Sequence, residues 1–207
     1  GCQMTTTAHI QGSIKISGRK DANPLYTIVG PQDGAAKPLQ MFVVASQSFD
    51  DCKWGSPNWP NPFCRVEVVL EYLRLVGSRS TVSPSNSNIK GGLISIQGEP
   101  FPSSGLNNII VLSGPRLSAT NVLFVGCAGT CAKLGGILYA SYFSQLELRN
   151  TSFYGGSADY GGALYIDERS NGVLEFTLFD NNVASASGGA VYLGKGSPTE
   201  SYQKTFA

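Results

Sequence analysis

Apolar and polar positions in this chain fall into short alternations, with no convincing helical period in its second half. Four segments open on a Gly-Gly pair and continue as a brief apolar strand: "GGLISI" from Gly91, "GGILYA" from Gly135, "GGALYI" from Gly161 and "GGAVYL" from Gly188. Successive side chains of a strand point to opposite faces. Ile94, Leu138, Leu164 and Val191 therefore share a face with Ile96, Ala140, Ile166 and Leu193, and that apolar face is the expected core. Between them stand Ser95, Tyr139, Tyr165 and Tyr192. These should point outward, the three tyrosines stacking as an external ladder.

A second strand-like unit precedes each of the last three pairs and ends in phenylalanine: "LSATNVLF" to Phe124, "LELRNTSF" to Phe153 and "LEFTLF" to Phe179. Alternation places Leu117 and Ala119, Leu146 and Leu148, and Leu174 and Phe176 inside, with Glu147 and Glu175 outside. Phe124, Phe153 and Phe179 are expected to form an internal aromatic stack. The last three Gly-Gly pairs start 26 and 27 residues apart, and the first lies 44 residues earlier. A period in the twenties, with two or three short strands per repeat, predicts an all-β solenoid: a parallel β-helix with one coil per repeat. Parallel coils lie about 4.8 Å apart, so equivalent side chains pile on one another and identical residues reinforce the register.

The first half is less regular. "MTTTAHIQGSIKISG" alternates and reads as one or two strands, "LQMFVVASQ" is a short apolar run, and "VEVVLEYLRLVG" fits a buried strand. Pro, Gly and Asn punctuate the intervals at "KDANP", "GPQDG" and "GSPNWPNP". The end of a solenoid exposes an apolar cross-section that needs a cap. Residues 1–65 are therefore expected to form a β-rich cap, the first coils or a donor-strand region with a disulfide loop, and residues 66–207 the β-helix coils.

Composition narrows the partners. Of 207 residues 42% are hydrophobic, enough for a core, but only 14% are charged and 25 are glycine, which suits a β-protein with a Ser, Thr, Asn and Gly surface. The net charge is +1 and no Lys/Arg cluster is present, so nucleic acid is not an expected partner. No apolar run reaches the roughly 18 residues of a membrane-spanning helix. The chain opens on "GCQM" without an initiator Met, the pattern of a processed product.

Five cysteines are present. Cys52 and Cys64 bracket the Pro/Trp loop "KWGSPNWPNPF", and Cys127 and Cys131 lie close enough in "CAGTC" to close a small loop, so two disulfides are expected and Cys2 is left over. The single His9 and the scattered cysteines supply no zinc spacing. Nothing points to a metal or cofactor. "NTS" at Asn150 to Ser152 is an N-glycosylation acceptor triplet, in keeping with a secreted or cell-surface glycoprotein.

"GGAL" at Gly161 to Leu164, "GGAV" at Gly188 to Val191 and "FDNN" at Phe179 to Asn182 resemble the GGA[ILV] and FxxN tandem motifs of the chlamydial polymorphic membrane protein repeat family. The resemblance covers roughly residues 90–195. "FVGC" and "FYGG" stand where the other two FxxN motifs would be. It implies a right-handed parallel β-helix on an exported surface protein engaged in adhesion.

A polysaccharide lyase or glycosidase is the competing reading, because such chemistry needs carboxylates converging on one face. The candidates, Asp159, Asp167, Glu168 and Asp180, lie in turns, and Asp180 sits beside two asparagines that suit a turn on their own account. His9 has no nucleophile motif to serve. "VGCAGTCAKLGG" lacks the Lys-Ser/Thr ending of a phosphate loop. Tyr139, Tyr165 and Tyr192 offer a ladder for glycan stacking or lateral packing, and Trp54 and Trp59 a further aromatic pair, although strands favour tyrosine without any partner. An open last coil after "GGAVYL" invites head-to-tail stacking or strand addition, with Met4 to Ser17 as a candidate added strand. The expected function is therefore an extracellular structural and adhesive protein, self-associating as the subunit of a cell-surface filament.

Overall fold

A computed structural model describes residues 2–30, 40–45, 66–77, 89–98, 114–127, 129–167 and 170–194. Within them the chain is all-β. It begins with β1 (Cys2–Gln3), β2 (Ala8–Ile10), β3 (Ile14–Ser17), β4 (Tyr26–Val29) and β5 (Phe42–Ala45). Then follow β6 (Glu67–Val76), β7 (Ile94–Gln97), β8 (Arg116–Val125), β9 (Ala132–Leu134), β10 (Leu138–Ser141) and β11 (Gln145–Arg149). The last group is β12 (Ser152–Tyr154), β13 (Ser157–Tyr160), β14 (Leu164–Ile166), β15 (Asn171–Glu175), β16 (Leu178–Asp180), β17 (Val183–Ser187) and β18 (Val191–Leu193).

These strands form three sheets, and each named strand pairing is parallel. The first sheet runs β1-β4-β6-β8-β11-β15, with β3 on β6, β12 on β8 and β16 on β12. The second is β18-β14-β10-β7-β5-β2 and the third β17-β13-β9. From β8 onward the chain visits first, third and second sheet in turn, three times over. Parallel neighbours need a long crossover between them, and here the strands of the other two sheets supply it. β1 to β5 lie on the first and second sheets, which later strands continue. Both strands of the Met4 to Ser17 segment are paired within the chain, β2 with β5 and β3 with β6.

The second sheet has the register expected from alternation. Leu138 pairs with Ile94 and Leu164, Ala140 with Ile96 and Ile166, and Val191 and Leu193 continue both columns. Phe42 and Val44 add a rung that the irregular first half concealed. Phe124, Phe153 and Phe179 stack as expected, with centroids 4.7 and 5.1 Å apart and planes within 16°. They lie against the same core as the second-sheet columns.

One expectation for the first sheet is corrected. Leu148, not Leu146, pairs with Leu174, and Gly172 takes the place opposite Leu146. Phe176 is consequently outside, 90% exposed, at φ 50°. The fixed quantity is the distance to the stacked phenylalanine: Ala119, Leu148 and Leu174 each stand five residues before it. Tyr72, Asn121, Asn150 and Phe176 then fall at one turn, all with positive φ, and bend the chain between two strand segments.

Candidate functional site

The Gly-Gly pairs precede β7, β10, β14 and β18 of the second sheet, and their two glycines answer to different constraints. Gly161 has φ +65°, and a Cβ there would lie 2.3 Å from the Leu164 carbonyl oxygen. Gly162 lacks positive φ, but a Cβ on it would lie 2.1 Å from the carbonyl oxygen of Gly189, one rung on. A left-handed turn and a close approach of two backbones are the two classes of position reserved for glycine. Gly92 and Gly136 repeat the contact of Gly162, whereas a Cβ on Gly189 meets nothing within 4 Å.

The pairs start the strands that carry the tyrosines. Tyr139, Tyr165 and Tyr192 stand in register and their rings stack, with centroids 5.5 Å apart for the first two and 4.9 Å for the second two. Tyr160 meets Tyr192 edge-on at 5.5 Å. The ladder is not an external one throughout. Tyr139 is fully buried and Tyr165 and Tyr192 are half-buried, because β10 is covered on both faces. Lys90 Nζ lies 5.2 Å from the centroid of the Tyr139 ring, and the Tyr139 hydroxyl donates to Asp167 Oδ2 at 2.9 Å. Burial pushes this phenol well above its ordinary value, with the Asp167 charge acting in the same direction. Tyr139 therefore anchors the column as a neutral donor, and only Tyr165 and Tyr192 retain surface.

The FxxN segment has a specific task beyond turn formation. Phe179 joins the aromatic stack, while the Asn182 side chain accepts from the Gly156 N–H at 2.8 Å and donates to the Phe153 carbonyl at 3.0 Å. One side-chain amide thus satisfies a backbone donor and acceptor of the neighbouring rung. Three residues after Phe124 the same place is taken by Cys127, which forms the expected disulfide with Cys131 across a Cα separation of 5.4 Å. Cys2 is a free, exposed thiol. Cys52, Cys64, Trp54, Trp59 and Glu168 lie outside the described residues.

The first sheet carries a charge ladder on its outer face that sequence reasoning missed. Arg116 binds Glu67 and Glu147; Arg149 binds Glu147, at 2.9 Å from Nε, and Glu175; Lys15 Nζ lies 2.9 Å from Glu71. Most partners come from neighbouring strands, far apart in sequence, so no local motif announces them. Among the acids considered for catalysis, Asp159 accepts from the Ser185 hydroxyl at 2.8 Å, Asp167 serves Tyr139, and Asp180 is exposed on β16. They do not converge. Among the described residues no group of three or more potential metal ligands occurs, and His9 is exposed on β2.

Hydrogen bonds from Arg116 and then Arg149 hold the Glu147 carboxyl below its ordinary 4.5, and Lys15 does the same for Glu71. A carboxylate with a depressed folded value contributes stability that is complete above the unfolded value and is lost as pH falls through the folded one. Half-exposed pairs of this kind contribute about 0.2–1 kcal/mol each. The urea midpoint should hold steady from neutral pH down to about pH 5 and decline below it. Glu147→Gln should flatten that decline; an undiminished acid slope would refute the role of Glu147.

No helix among the described residues is long and apolar enough to cross a membrane. The Asn150 side chain is exposed at its turn and donates to Asn121 Oδ1 on the neighbouring rung. Compared with known proteins, the chain matches no family model, no curated protein and no solved structure.

Proposed function

We propose that this chain is a right-handed parallel β-helix that serves as a structural and adhesive element outside the cell, stacking end to end with further copies of itself. The cyclic visiting of three parallel sheets, with one rung added per 26 or 27 residues, supports the solenoid. The Cys127–Cys131 disulfide accords with an oxidising compartment. The half-buried Tyr165 and Tyr192 offer aromatic surface for a glycan or a neighbouring rod.

Gly189 carries the assembly reading. At Gly92, Gly136 and Gly162 glycine is demanded by the carbonyl of the next rung, yet Gly189 has the same residue with nothing against it. Around it β15, β16, β17 and β18 each pair on one side only among the described residues, and Leu178 and Val183 are 60% and 61% exposed. A further rung laid on this end satisfies the open backbone groups, covers the apolar side chains and uses the space a Cβ would fill.

Sedimentation velocity over a concentration series tests the idea. The native protein should form species larger than a monomer, and Gly189→Val should remain monomeric with an unchanged melting temperature. A native chain that stays monomeric throughout overturns end-to-end stacking. A monomeric native chain that Gly189→Val destabilises would assign the rung to the same chain.

A further inference from the structure

We propose that Asn150 carries an N-linked glycan whose first sugar rests on the ring of Phe176. The inference does not depend on the assembly reading. Asn150 heads the acceptor triplet "NTS" and its side chain is exposed. Arg149 pairs with Glu175 and Ser152 with Leu178, so Phe176 is the neighbour of Asn150 on the next rung of the turn. Adjacent parallel rungs lie about 4.8 Å apart, so the two backbones are neighbours, while the amide nitrogen of the free Asn150 side chain is turned to Asn121 on the rung before.

Phe176 is otherwise hard to account for. Its side chain is 90% exposed, and it holds φ 50°, a conformation that asparagine tolerates and a bulky aromatic resists. The φ is the one the turn imposes on Tyr72, Asn121 and Asn150 as well, but packing within the fold does not explain why an aromatic ring is left so exposed there. The apolar face of a pyranose is a fitting cover for such a ring. Asn121 and Tyr72 continue the column on the other side of Asn150, beside a cleft of about 480 Å³ that Lys20 and Leu25 also line.

The attachment is a group transfer from a lipid-diphosphate-linked oligosaccharide, carried out by a transferase of the secretory pathway. Asn150 Nδ2 bonds to the anomeric carbon, the bond from that carbon to the diphosphate oxygen breaks, its electron pair leaves with the lipid diphosphate, and Nδ2 gives one proton to a base of the transferase. The N–H that remains is sufficient for the hydrogen bond to Asn121 Oδ1 that the free side chain makes.

The full chain, secreted from an insect-cell host, provides the test by intact mass and thermal melting. One glycan is expected on the native protein and on Phe176→Ala, and none on Ser152→Ala, which removes the triplet without altering the turn. The glycosylated native chain should melt about 2–4 °C above Ser152→Ala, and that difference should vanish when both carry Phe176→Ala. A chain secreted without glycan, or a difference that survives Phe176→Ala, overturns the proposal. Loss of the difference in Tyr72→Ala but not in Phe176→Ala places the sugar in the opposite cleft and overturns it as well.

Discussion

Gly162→Ala and Gly162→Val should each destabilise the protein by about 3–5 kcal/mol, a fall in melting temperature of about 6–20 °C for a chain of this size. The cause is the first atom of the new side chain. A Cβ at Gly162 would lie 2.1 Å from the Gly189 carbonyl oxygen and 2.6 Å from that of Val183, and both oxygens belong to backbone rather than to a side chain that could swing away. Alanine already carries the offending atom, so valine should add little to the damage. Gly189→Val is the control. Gly162 and Gly189 hold the same place in the repeated motif, but a Cβ at Gly189 would meet nothing within 4 Å and Gly189 has no left-handed φ. Its substitution should leave the melting temperature of the monomer unchanged. Calorimetry of the three variants checks the pair, and equal losses at 162 and 189 would remove the inter-rung contact as the reason for the motif.

Phe153→Ala should cost about 3–5 kcal/mol as well, through a cavity rather than a clash. Phe153 is fully buried and is the middle ring of the stack, 4.7 Å from Phe124 and 5.1 Å from Phe179. Its removal leaves two rings without a neighbour in the most tightly repeated part of the core. The surroundings cannot collapse into the gap, because Ser152 and Tyr154 on either side are held in register with Leu123 and Val125 and with Leu178 and Asp180. Phe176→Ala removes the same side chain from a place where it is 90% exposed, and in the unglycosylated protein it should change stability by less than about 0.5 kcal/mol. Chemical denaturation of both variants separates a stacked phenylalanine from a turn one. Similar losses would mean that the outward placement of Phe176 is wrong.

The contrast between Phe153 and Phe176 shows how far the residues alone carry the argument. In the second sheet the Gly-Gly pair marks the start of every strand from β7 to β18, so counting from it yields the register of Ile94, Leu138, Leu164 and Val191 directly. In the first sheet "LELRNTSF" and "LEFTLF" can be matched from either end. Matching from the leucine buries Phe176, whereas the phenylalanine stack requires matching from the other end. The two answers differ by two residues, which preserves alternation and leaves no violated pattern as a warning.

Of the candidate site, the tyrosine column and the Cys127–Cys131 disulfide were legible because both follow from spacing. The burial of Tyr139 was not, since β10 is covered on both faces, and among the groups on Tyr139 Lys90 and Asp167 lie 49 and 28 residues away. The same holds for the Arg116–Glu147 and Arg149–Glu175 pairs, whose members meet only after the rungs are stacked.

What the sequence by itself determined is the repeating unit: short strands, glycine pairs, inward aliphatic columns and a phenylalanine stack. These depend on strand alternation and on the steric limits of single residues, both of which are local. The tertiary structure alone decided which outward residues are covered, which charges meet across rungs, and which glycine faces open space. Those depend on what the next rung brings, and a chain specifies that only once its strands lie side by side.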